Sequence, residues 1–523
     1  MDVLVVGAGP TGLCLASQLQ AYGTPFRIID RHLDRAHESR ALAVQPRTLE
    51  VLAPLGVAEA MVRNGNPAVR AQMHFGDRVV SIPLFDIGAD DTPYPYLLFL
   101  SQAETERILD EHLTAGGTTV ERGTELVDYT AQDGGLTCTL RHGDGRTEQV
   151  QARYIAGCDG AHSTVRNLAG IPFAGRAYPQ TFVLADLNAA GVEAGAVHSF
   201  ISGEGMLFLF PLGQPAPWRV LAMRGRADPT PAEDPVSLAD VQALCDRYTH
   251  GLVRLDSPVW MTNFRLHNRG ATHHRAGPAF LAGDAAHIHS PAGAQGMNTG
   301  IQDAINLGWK LALVCAGAAP GLLDTYEPER GPVGRLVLRT TDRLFTFATS
   351  TNGVLRFVRT SVVPHLARLA IRARKLRGYA FRVIAELALQ YRSSPASTEG
   401  PRAPRRGPRA GDRLPDAPVT SDGTTSTLHE MVAAPGFHLL LCGPDSAWPD
   451  GVPADIAGRY PRFLTVHRVS AVGAPARLVS DRPMQYLVRP DGYLGYRAGG
   501  TDLAGLHSYL DRWLGPETRR EGA

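Results

Sequence analysis

The sequence predicts a mixed α/β protein in three parts, and three observations support this fold class. A continuous aliphatic strand, VLVV, opens the chain and leads into a glycine-rich turn and a helix, as in parallel-sheet domains. After a region of alternating, strand-like patterns, the chain returns to a buried strand at AFLAGD. A segment rich in Pro, Gly, Ser and Arg then separates a last region that mixes strands and helices.

These patterns predict the domain boundaries. The first domain is Rossmann-like and discontinuous, because its last buried strand follows the middle region. The middle domain is rich in β-sheet, and the last domain is a small α/β unit. The predicted ranges are 1–175 and 269–393 for the first domain with its following helices, 176–268 for the middle domain, 394–412 for the linker, and 413–523 for the last domain.

Composition limits the classes of partner. The chain has 523 residues and a net charge of +1, so the overall charge predicts no nucleic-acid partner. Six scattered cysteines form no CxxC pair and no metal spacing, which is typical of a reducing compartment. The first strand leaves no room for a signal peptide, and no uncharged apolar run reaches the roughly 18 residues of a membrane span. We therefore expect a cytoplasmic protein.

The glycine-rich turn GAGPTG predicts dinucleotide binding. Gly7 permits a tight turn, Gly9 lets a pyrophosphate approach the backbone, and Gly12 lets helix and strand pack closely. Asp30 ends the next strand, where a carboxylate accepts hydrogen bonds from ribose hydroxyls and repels a 2′-phosphate. Both FAD and NAD satisfy these conditions.

Later segments favour FAD. CDGAHSTVR resembles the DG motif, and AGDAAHIHSPAGAQGMN the GD motif, of group A flavoprotein monooxygenases, the family of p-hydroxybenzoate hydroxylase and the aromatic polyketide hydroxylases. ESRALAVQPRTLEVL is similar to the family's Arg-containing stretch. The resemblance covers about residues 1–340. GPRAGDRLPDAP and YLVRPDGYLGYR further resemble the members that carry a C-terminal thioredoxin-like domain.

The resemblance implies FAD as cofactor and NADPH or NADH as a transient reductant. It places Arg40 on the pyrophosphate, Gln102 near the flavin ring and Asp284 on the ribityl chain. It also implies that Pro291 and Gly293 lie against the flavin and are the residues nearest the catalytic centre. The complete predicted cofactor-binding set is Gly7, Gly9, Gly12, Asp30, Arg31, Arg40, Gln102, Asp159, Arg166, Asp284, Gly296, Met297 and Asn298.

Several of these residues have alternative interpretations. The resemblance implies that Asp159 shapes the groove through which the nicotinamide cofactor passes and that Arg166 steers its phosphates. The less favoured alternative is that Asp159 and Asp284 simply cap turns and that Arg166 forms a surface ion pair. Arg47 fits either a nucleotide contact or an exposed helix position.

Two features near the GD motif concern charge and metal binding. A helix beginning near Gly296–Asn298 directs backbone N–H groups towards negative charge on the reduced flavin. His287 and His289 form an HxH pair, but no neighbouring carboxylate or cysteine completes a metal site, so we expect no metal. No substrate-activating base is identified.

The resemblance implies a monooxygenase. NAD(P)H reduces FAD, and a flavin hydroperoxide then transfers one oxygen atom from O2 to an aromatic substrate, a polycyclic polyketide or a phenol. Baeyer–Villiger or epoxidising oxygen insertion, and a non-catalytic flavin- or drug-binding protein, remain open, as does the choice between monomer and homodimer. The substrate is expected between the first domain and the middle sheet, where Met206, Phe208 and Phe210 share a face that is either pocket or core.

Overall fold

The computed structural model describes the chain except for residues 36–40, 69, 76–77, 84–88, 133, 202–204, 214–215, 225–233, 290–294, 350–351, 359–361, 363–373, 422–423, 450, 472–481 and 516–523. Its strands are β1 (Val3–Val6), β2 (Phe26–Asp30), β3 (Ala43–Val44), β4 (Asn66–Ala68), β5 (Arg70–Phe75), β6 (Arg78–Pro83), β7 (Leu97–Phe99), β8 (Glu121–Arg122), β9 (Thr124–Gln132), β10 (Gly135–His142), β11 (Thr147–Ala152), β12 (Tyr154–Gly157), β13 (Phe173–Ala190), β14 (Ala196–Ile201), β15 (Met206–Pro211), β16 (Trp218–Met223), β17 (Arg254–Ala271), β18 (Arg275–Ala276), β19 (Ala279–Leu281), β20 (His287–Ile288), β21 (Thr398–Glu399), β22 (Pro418–Ser421), β23 (Thr424–Thr427), β24 (Phe437–Cys442), β25 (Leu464–Ala471), β26 (Met484–Val488) and β27 (Leu494–Gly499). Its α-helices are α1 (Pro10–Ala21), α2 (Pro46–Leu52), α3 (Ala58–Asn64), α4 (Gln102–Ala115), α5 (Thr164–Leu168), α6 (Leu238–Thr249), α7 (Gly296–Cys315), α8 (Tyr326–Thr349), α9 (Gly353–Phe357), α10 (Arg374–Ile384), α11 (Leu428–Met431), α12 (Gly451–Arg459) and α13 (Ala504–Leu514).

The first sheet has the order β18-β19-β12-β1-β2-β8, and β1 pairs in parallel with both β2 and β12. Every residue of β1 is buried because both faces of the sheet are covered. Val3 and Val5 pack towards α1 and α7, whereas Leu4 and Val6 pack towards the β9-β10-β11 meander. Because β19 joins β12 only after the middle region, the predicted discontinuous α/β fold is confirmed.

The second large sheet has the order β20-β17-β13-β16-β15-β14-β5-β6. One face packs on α6 through Leu207 and Leu209. Phe208 and Phe210 project to the other face, where their rings stack at 5.6 Å and pack against a cluster that includes Leu184 and Leu221. These two phenylalanines therefore support the wall of the cavity described below, while Met206 is simply buried.

Two predicted boundaries differ from the structure. The middle sheet also contains β5 and β6, which lie before the predicted start at residue 176, because β14 pairs in parallel with β5. The predicted linker at 394–412 is also partly structured. Its strand β21 pairs with β27, and Glu399 accepts hydrogen bonds from Arg497 at 2.7 and 3.0 Å. Alternation and turn residues do not encode either long-range pairing.

The C-terminal sheet has the order β21-β27-β26-β24-β25-β22-β23. Its central strand β24 is parallel to β25 and antiparallel to β26, and α12 and α13 complete an α/β unit. Leu439 and Leu441 belong to the same hydrophobic cluster as the first domain, and Phe437 meets Trp309 of α7 edge to face at 5.6 Å. The C-terminal unit is therefore joined to the first domain by a shared core.

A buried ionic network reinforces this junction. Arg489, after β26, donates to both oxygens of Glu329 on α8 at 2.6 and 2.7 Å and to Asp491 at 2.6 Å. Lys310 and Asn306 of α7 also donate to Glu329, each at 2.7 Å. Burial alone raises the pKa of Glu329, but Arg489 and Lys310 outweigh this effect and hold it well below the usual range.

In the described part of the chain, no helix is both long and apolar enough to cross a membrane. All six cysteines are free thiols, and five of them are buried.

Candidate active site

Two cavities meet at the carboxyl end of the first sheet. One is a cleft of about 800 Å³ that runs from the glycine-rich turn past the end of β2. The other is a cavity of about 300 Å³ between that turn and the middle sheet. The residues that line both are Gly9, Gln102, Cys158, Gly160 and Asp284. The cavities therefore form one continuous groove at the edge of the sheet where α/β proteins bind nucleotides.

The glycine-rich turn has the geometry that the motif predicts. Gly7 has φ +101°, and a Cβ there would lie 2.4 Å from the carbonyl oxygen of Cys158. A Cβ on Gly12 would lie 1.9 Å from the carbonyl oxygen of Gly7. Gly9 has no atom within 4 Å of its Cβ position, because that side faces the groove, and α1 begins at the next residue. The turn therefore presents an open backbone surface and a helix N-terminus to the groove.

Asp30 and Arg31 border the cleft on the far side of this turn. Asp30 accepts hydrogen bonds from the backbone N–H groups of Ala8 at 2.7 Å and His32 at 2.8 Å. These bonds hold the carboxylate at the groove, where it retains acceptor capacity for a ribose hydroxyl. Arg31 is exposed at the same place.

The GD segment forms a tight 3-10 turn, Gly283–Ala285, against α1 and α7. Cβ atoms on Gly283 and Gly300 would each lie 2.5 Å from the hydroxyl of Thr11, so small residues are required on both sides. Asp284 is exposed in this turn and borders both cavities. The predicted ribityl ligand therefore lies where the two cavities join.

Helix α7 begins at the end of the smaller cavity. Gly296 and Met297 line that cavity. Asn298 is fully buried: its amide donates to the carbonyl of Ala43 and accepts from the N–H of Gln45, both at 2.8 Å. The Asn298 side chain therefore fastens α7 to β3 and the start of α2, and its predicted cofactor role is limited to its backbone N–H.

Three buried side chains support the GD turn from below. Asp303 of α7 accepts hydrogen bonds from the N–H of Gly283 at 3.1 Å and from the imidazole of His287 at 2.7 Å. Arg330 donates to the other Asp303 oxygen at 2.6 Å and to the carbonyl of Thr299 at 3.0 Å. Burial alone raises the pKa of Asp303, but Arg330 and His287 outweigh it and hold the carboxyl ionised. His287 is thus a partner of Asp303 in the turn.

The two DG-motif residues are placed differently from one another. Asp159 borders the cleft, but its carboxylate also caps α5, accepting from the Ser163 hydroxyl at 2.5 Å and the Thr164 N–H at 2.6 Å. Arg166 is buried, donates to the carbonyls of Ala161 and Ala285, and stacks over the ring of Phe173. Its guanidinium is engaged inside the protein, which differs from both predicted roles, the phosphate contact and the surface ion pair.

Gln102 lines both cavities where they join, and its predicted position near the flavin ring stays a prediction. It is the first residue of α4, whose N-cap is Ser101 as the capping-box spacing predicts. Its amide donates to Glu106 at 2.8 Å. Ala41 lies beside Gln102, and its carbonyl oxygen accepts a hydrogen bond from Arg219 of the middle sheet at 2.9 Å. The guanidinium of Arg219 is also paired with the carboxylate of Asp186 at 2.6 Å. The middle sheet therefore fixes one wall of the groove.

Other predicted residues lie outside the groove or outside the described chain. Arg47 is buried, pairs with Glu50 at 2.9 Å and donates to the carbonyl of Asp491, so it joins α2 to the C-terminal unit and is not exposed. Arg40, Pro291 and Gly293 lie outside the described residues. Their predicted roles stay predictions.

The side of the smaller cavity opposite the glycine-rich turn is formed by the middle sheet and the end of β20. Its apolar lining residues are Leu184, Leu221, Phe264, Leu266 and Ile288. Its polar lining residues are Arg265, His267 and His289. This wall suits a flat, largely apolar molecule that carries a few polar groups.

Sequence reasoning missed Asp303, Arg330 and the cavity residues of β17. A signal was present for the first: polar residues recur at helical spacing through α7, while most of its remaining residues are apolar or glycine; they are Thr299, Asp303, Asn306 and Lys310. Such a stripe indicates a buried polar seam. Among the residues that the structure describes, no group of His, Cys, Asp or Glu side chains is placed to hold a metal ion.

The groove fits an extended dinucleotide flavin. Gly9 leaves open space on the groove side of the glycine-rich turn, the carboxylates of Asp30 and Asp284 lie along the groove, and α7 begins at its far end. The fold and groove together define a dinucleotide-binding protein with an apolar cavity next to its cofactor site.

Comparison with known proteins agrees with this description. The FAD binding domain family matches residues 1–341, and the aromatic-ring hydroxylase C-terminal family matches residues 407–516. The chain is 35% identical to 6-methylpretetramide 4-monooxygenase of Streptomyces rimosus over 100% of this chain and 95% of that protein. It is 31% identical to pentachlorophenol 4-monooxygenase of Sphingobium chlorophenolicum over 95% and 94%. The solved structure of OxyS anhydrotetracycline hydroxylase from Streptomyces rimosus superposes with a TM-score of 0.80 at 31% identity, covering 98% of this chain and 99% of that one.

The chain therefore belongs to the family of FAD-dependent aromatic-ring monooxygenases. FAD is its cofactor, NAD(P)H is the usual reductant of the family, and the fold class predicted from the sequence is confirmed.

Proposed function

We propose that this protein inserts one oxygen atom from O2 into a polycyclic phenolic substrate of the aromatic polyketide type. The supporting observation is the junction of a dinucleotide groove with an apolar cavity at the N-terminus of α7. The names of the tetracycline-pathway relatives support the polycyclic substrate, and the pentachlorophenol relative supports the phenolic ring.

The chain's own residues bind and orient in this proposal. The α1 N-terminus and the open side of Gly9 hold the pyrophosphate, Asp30 the ribose, and Asp284 the ribityl chain. When bound, FAD supplies the redox chemistry, taking electrons from NADPH or NADH and using them to activate O2. The α7 N-terminus presents fixed backbone dipoles to negative charge at the end of the groove and needs no titrating side chain.

The middle sheet controls access of water and the position of the substrate. Leu184, Leu221 and Phe264 keep the cavity wall apolar, which favours an aromatic ring and disfavours water. Phe208 and Phe210 pack beside Leu184 and Leu221 on the same face of the sheet, which restricts the movement of these wall residues. A wall held in this way keeps the reacting carbon in one orientation, which contributes to the rate of the reaction.

The function is tested with the purified protein. We expect bound-flavin absorbance, and oxidation of NADPH or NADH that accelerates when a polycyclic phenol is added. With ¹⁸O2, the product should carry one labelled oxygen atom by mass spectrometry. A protein that neither retains added FAD nor oxidises reduced nicotinamide contradicts the proposal. Asp284→Ala should abolish flavin retention, whereas Asp324→Ala, an exposed carboxylate on the surface, should leave it unchanged.

The proposed setting is the cytoplasm, with NADPH or NADH as diffusing reductant. Light scattering of the FAD-loaded protein distinguishes the monomer from the homodimer.

A further inference from the structure

We propose that His289 and His267 recognise an ionisable hydroxyl, phenolic or enolic, on the ring of the substrate that enters the smaller cavity. This inference rests on the proposed function and adds to it the group that orients the substrate. It assigns a task to two side chains that line the sheet side of the cavity.

The first supporting observation is the composition of the cavity wall. The lining residues contributed by the middle sheet and β20 are apolar except for Arg265, His267 and His289, all of which are basic. Among the described residues that line the cavity, the only one with a carboxylate is Asp284, which lies on the opposite, cofactor side. A wall with basic groups and no acid favours an oxygen that carries or develops negative charge, and disfavours a cationic substrate.

The second supporting observation is the position of His289. Its ring lies 3.5 Å from the place that a Cβ on Gly296 would occupy, so the imidazole borders the first residue of α7. The strand before it is fixed, because β20 pairs with β17 and His287 is held by buried Asp303. The rings of His287 and His289 are nearly parallel, with centroids 6.5 Å apart. A hydroxyl held by His289 would therefore be positioned next to the end of the cofactor groove.

The third supporting point is the hydrogen-bonding chemistry of imidazole. A neutral imidazole accepts a hydrogen bond from O–H through one nitrogen and donates one through the other, so it binds both a phenol and a phenolate. Arginine only donates, and Arg265 is exposed, which suits attraction of an anionic substrate more than its orientation. His267 follows Arg265 on the same strand and is less exposed. The two histidines are thus the suitable pair for a hydroxyl inside the cavity.

Binding to the oxidised, FAD-loaded protein tests the inference without turnover. Each aromatic phenol in a series from α-naphthol to a hydroxyanthraquinone is titrated beside its own methyl ether, and the change in flavin absorbance gives the Kd. We expect the wild type to prefer the phenol by roughly 10- to 100-fold, because a site built to bond a hydroxyl rejects the analogue that lacks the proton. In His289→Phe, the preference should fall to within about threefold, since an aromatic ring of similar shape remains.

Other variants separate hydrogen bonding from shape. His289→Gln, which keeps a donor and an acceptor, should recover part of the preference, and His267→Phe should weaken it independently. His273→Phe, at an exposed histidine paired with Glu327, is the matched control and should behave as wild type. In turnover with the phenol, the His289→Phe enzyme should show a raised KM, whereas the His273→Phe control should keep both the wild-type KM and the wild-type rate of NAD(P)H oxidation without substrate.

Each outcome bears on one proposal. If the wild type retains FAD and oxidises NAD(P)H but binds phenol and ether alike, or binds none of the series, the inference is overturned and the monooxygenase proposal stands. If the preference persists in both phenylalanine variants and in their combination, another group recognises the hydroxyl and the assignment is wrong. Failure of the wild type to retain FAD overturns the proposed function itself.

Discussion

Gly9 and Gly12, three residues apart in the same motif, have different physical tasks. A Cβ on Gly12 collides with the carbonyl of Gly7, whereas a Cβ on Gly9 enters open space in the groove. We therefore expect Gly9→Val to fold with an unchanged melting temperature of the flavin-free protein, and to bind FAD at least about tenfold more weakly, because the valine occupies the cofactor's space. Fluorescence titration of FAD and thermal unfolding measure the two effects.

Two controls sharpen this prediction. Gly458→Ala, at a helical glycine with open space around its Cβ, should leave the FAD affinity unchanged and should not lower the melting temperature, because alanine favours the helix. Gly12→Ala should lower the melting temperature itself, because its methyl group meets backbone that does not yield. Equal FAD affinity in Gly9→Val and wild type would show that the cofactor does not approach this glycine.

Residues are predictable from sequence when the motif itself states the physical requirement. The conformation at Gly7 and Gly12 was predictable for this reason, since turn geometry and close packing exclude a side chain at both positions. Arg166 was not, because a DG-motif arginine has the same local sequence whether its guanidinium faces the groove or stacks on Phe173. Asp303 lies 19 residues after Asp284 in the chain, and only the tertiary structure brings it under the GD turn.

At the scale of elements, α7 is held by a segment that follows α10. Glu386 is buried with φ +60°, and it accepts hydrogen bonds from Gln302 and, at 3.4 Å, from Thr299 on the first turns of α7. Burial raises the pKa of Glu386 to about 7, although Arg330 and these hydrogen bonds oppose the shift. The element that faces the cofactor groove therefore rests on a carboxyl group that titrates near neutrality.

The titration of Glu386 predicts a pH-dependent stability. The folded pKa of Glu386 lies above the unfolded value of roughly 4.3, so the folded state binds the proton more tightly. The stability that this proton adds is complete below about pH 4 and is lost as pH rises through 7. Glu386→Gln, which cannot ionise, should gain stability over wild type as pH rises, reaching roughly 3 kcal/mol at pH 8. Urea unfolding of the FAD-loaded proteins at pH 5 and pH 8 measures the difference.

The control for this variant is an exposed glutamate. Glu59→Gln removes a carboxyl that is 88% exposed, so its unfolding free energy should follow the wild type at both pH values. A difference between Glu386→Gln and wild type that is the same at pH 5 and pH 8 would contradict ionisation of Glu386 in this range.

Elements were more predictable than their partners. Aliphatic runs and caps identified β1, β2, β19 and α4, because burial on two faces and an N-cap serine are local properties of the sequence. The pairing of β5 with β14, and of β21 with β27, was missed because strand alternation is the same whichever sheet the strand joins. Sheet membership is decided by side chains distant in sequence, such as Arg497 and Glu399.

At the scale of the whole molecule, the C-terminal unit and the first domain share both an apolar core and an ionic network. Phe437 packs on Trp309 of α7, the helix whose other end faces the cofactor groove. The same helix carries Lys310 and Asn306, which contact Glu329 beside Arg489. Stability of the cofactor site and of the C-terminal unit should therefore change together, although composition and the linker-like segment indicated separate domains.

Removing Arg489 tests this coupling. Arg489→Met keeps most of the side-chain volume but leaves buried Glu329 without its bidentate partner, which we expect to cost about 3–5 kcal/mol of unfolding free energy. Because Glu329 also bonds α7, flavin release, followed by FAD fluorescence, and loss of secondary structure, followed by circular dichroism, should shift to lower temperature together. Arg459→Met, which removes an exposed pair with Asp511, should cost no more than about 1 kcal/mol. Flavin release at the wild-type temperature, together with an earlier partial loss of secondary structure in Arg489→Met, would show that the C-terminal unit unfolds on its own.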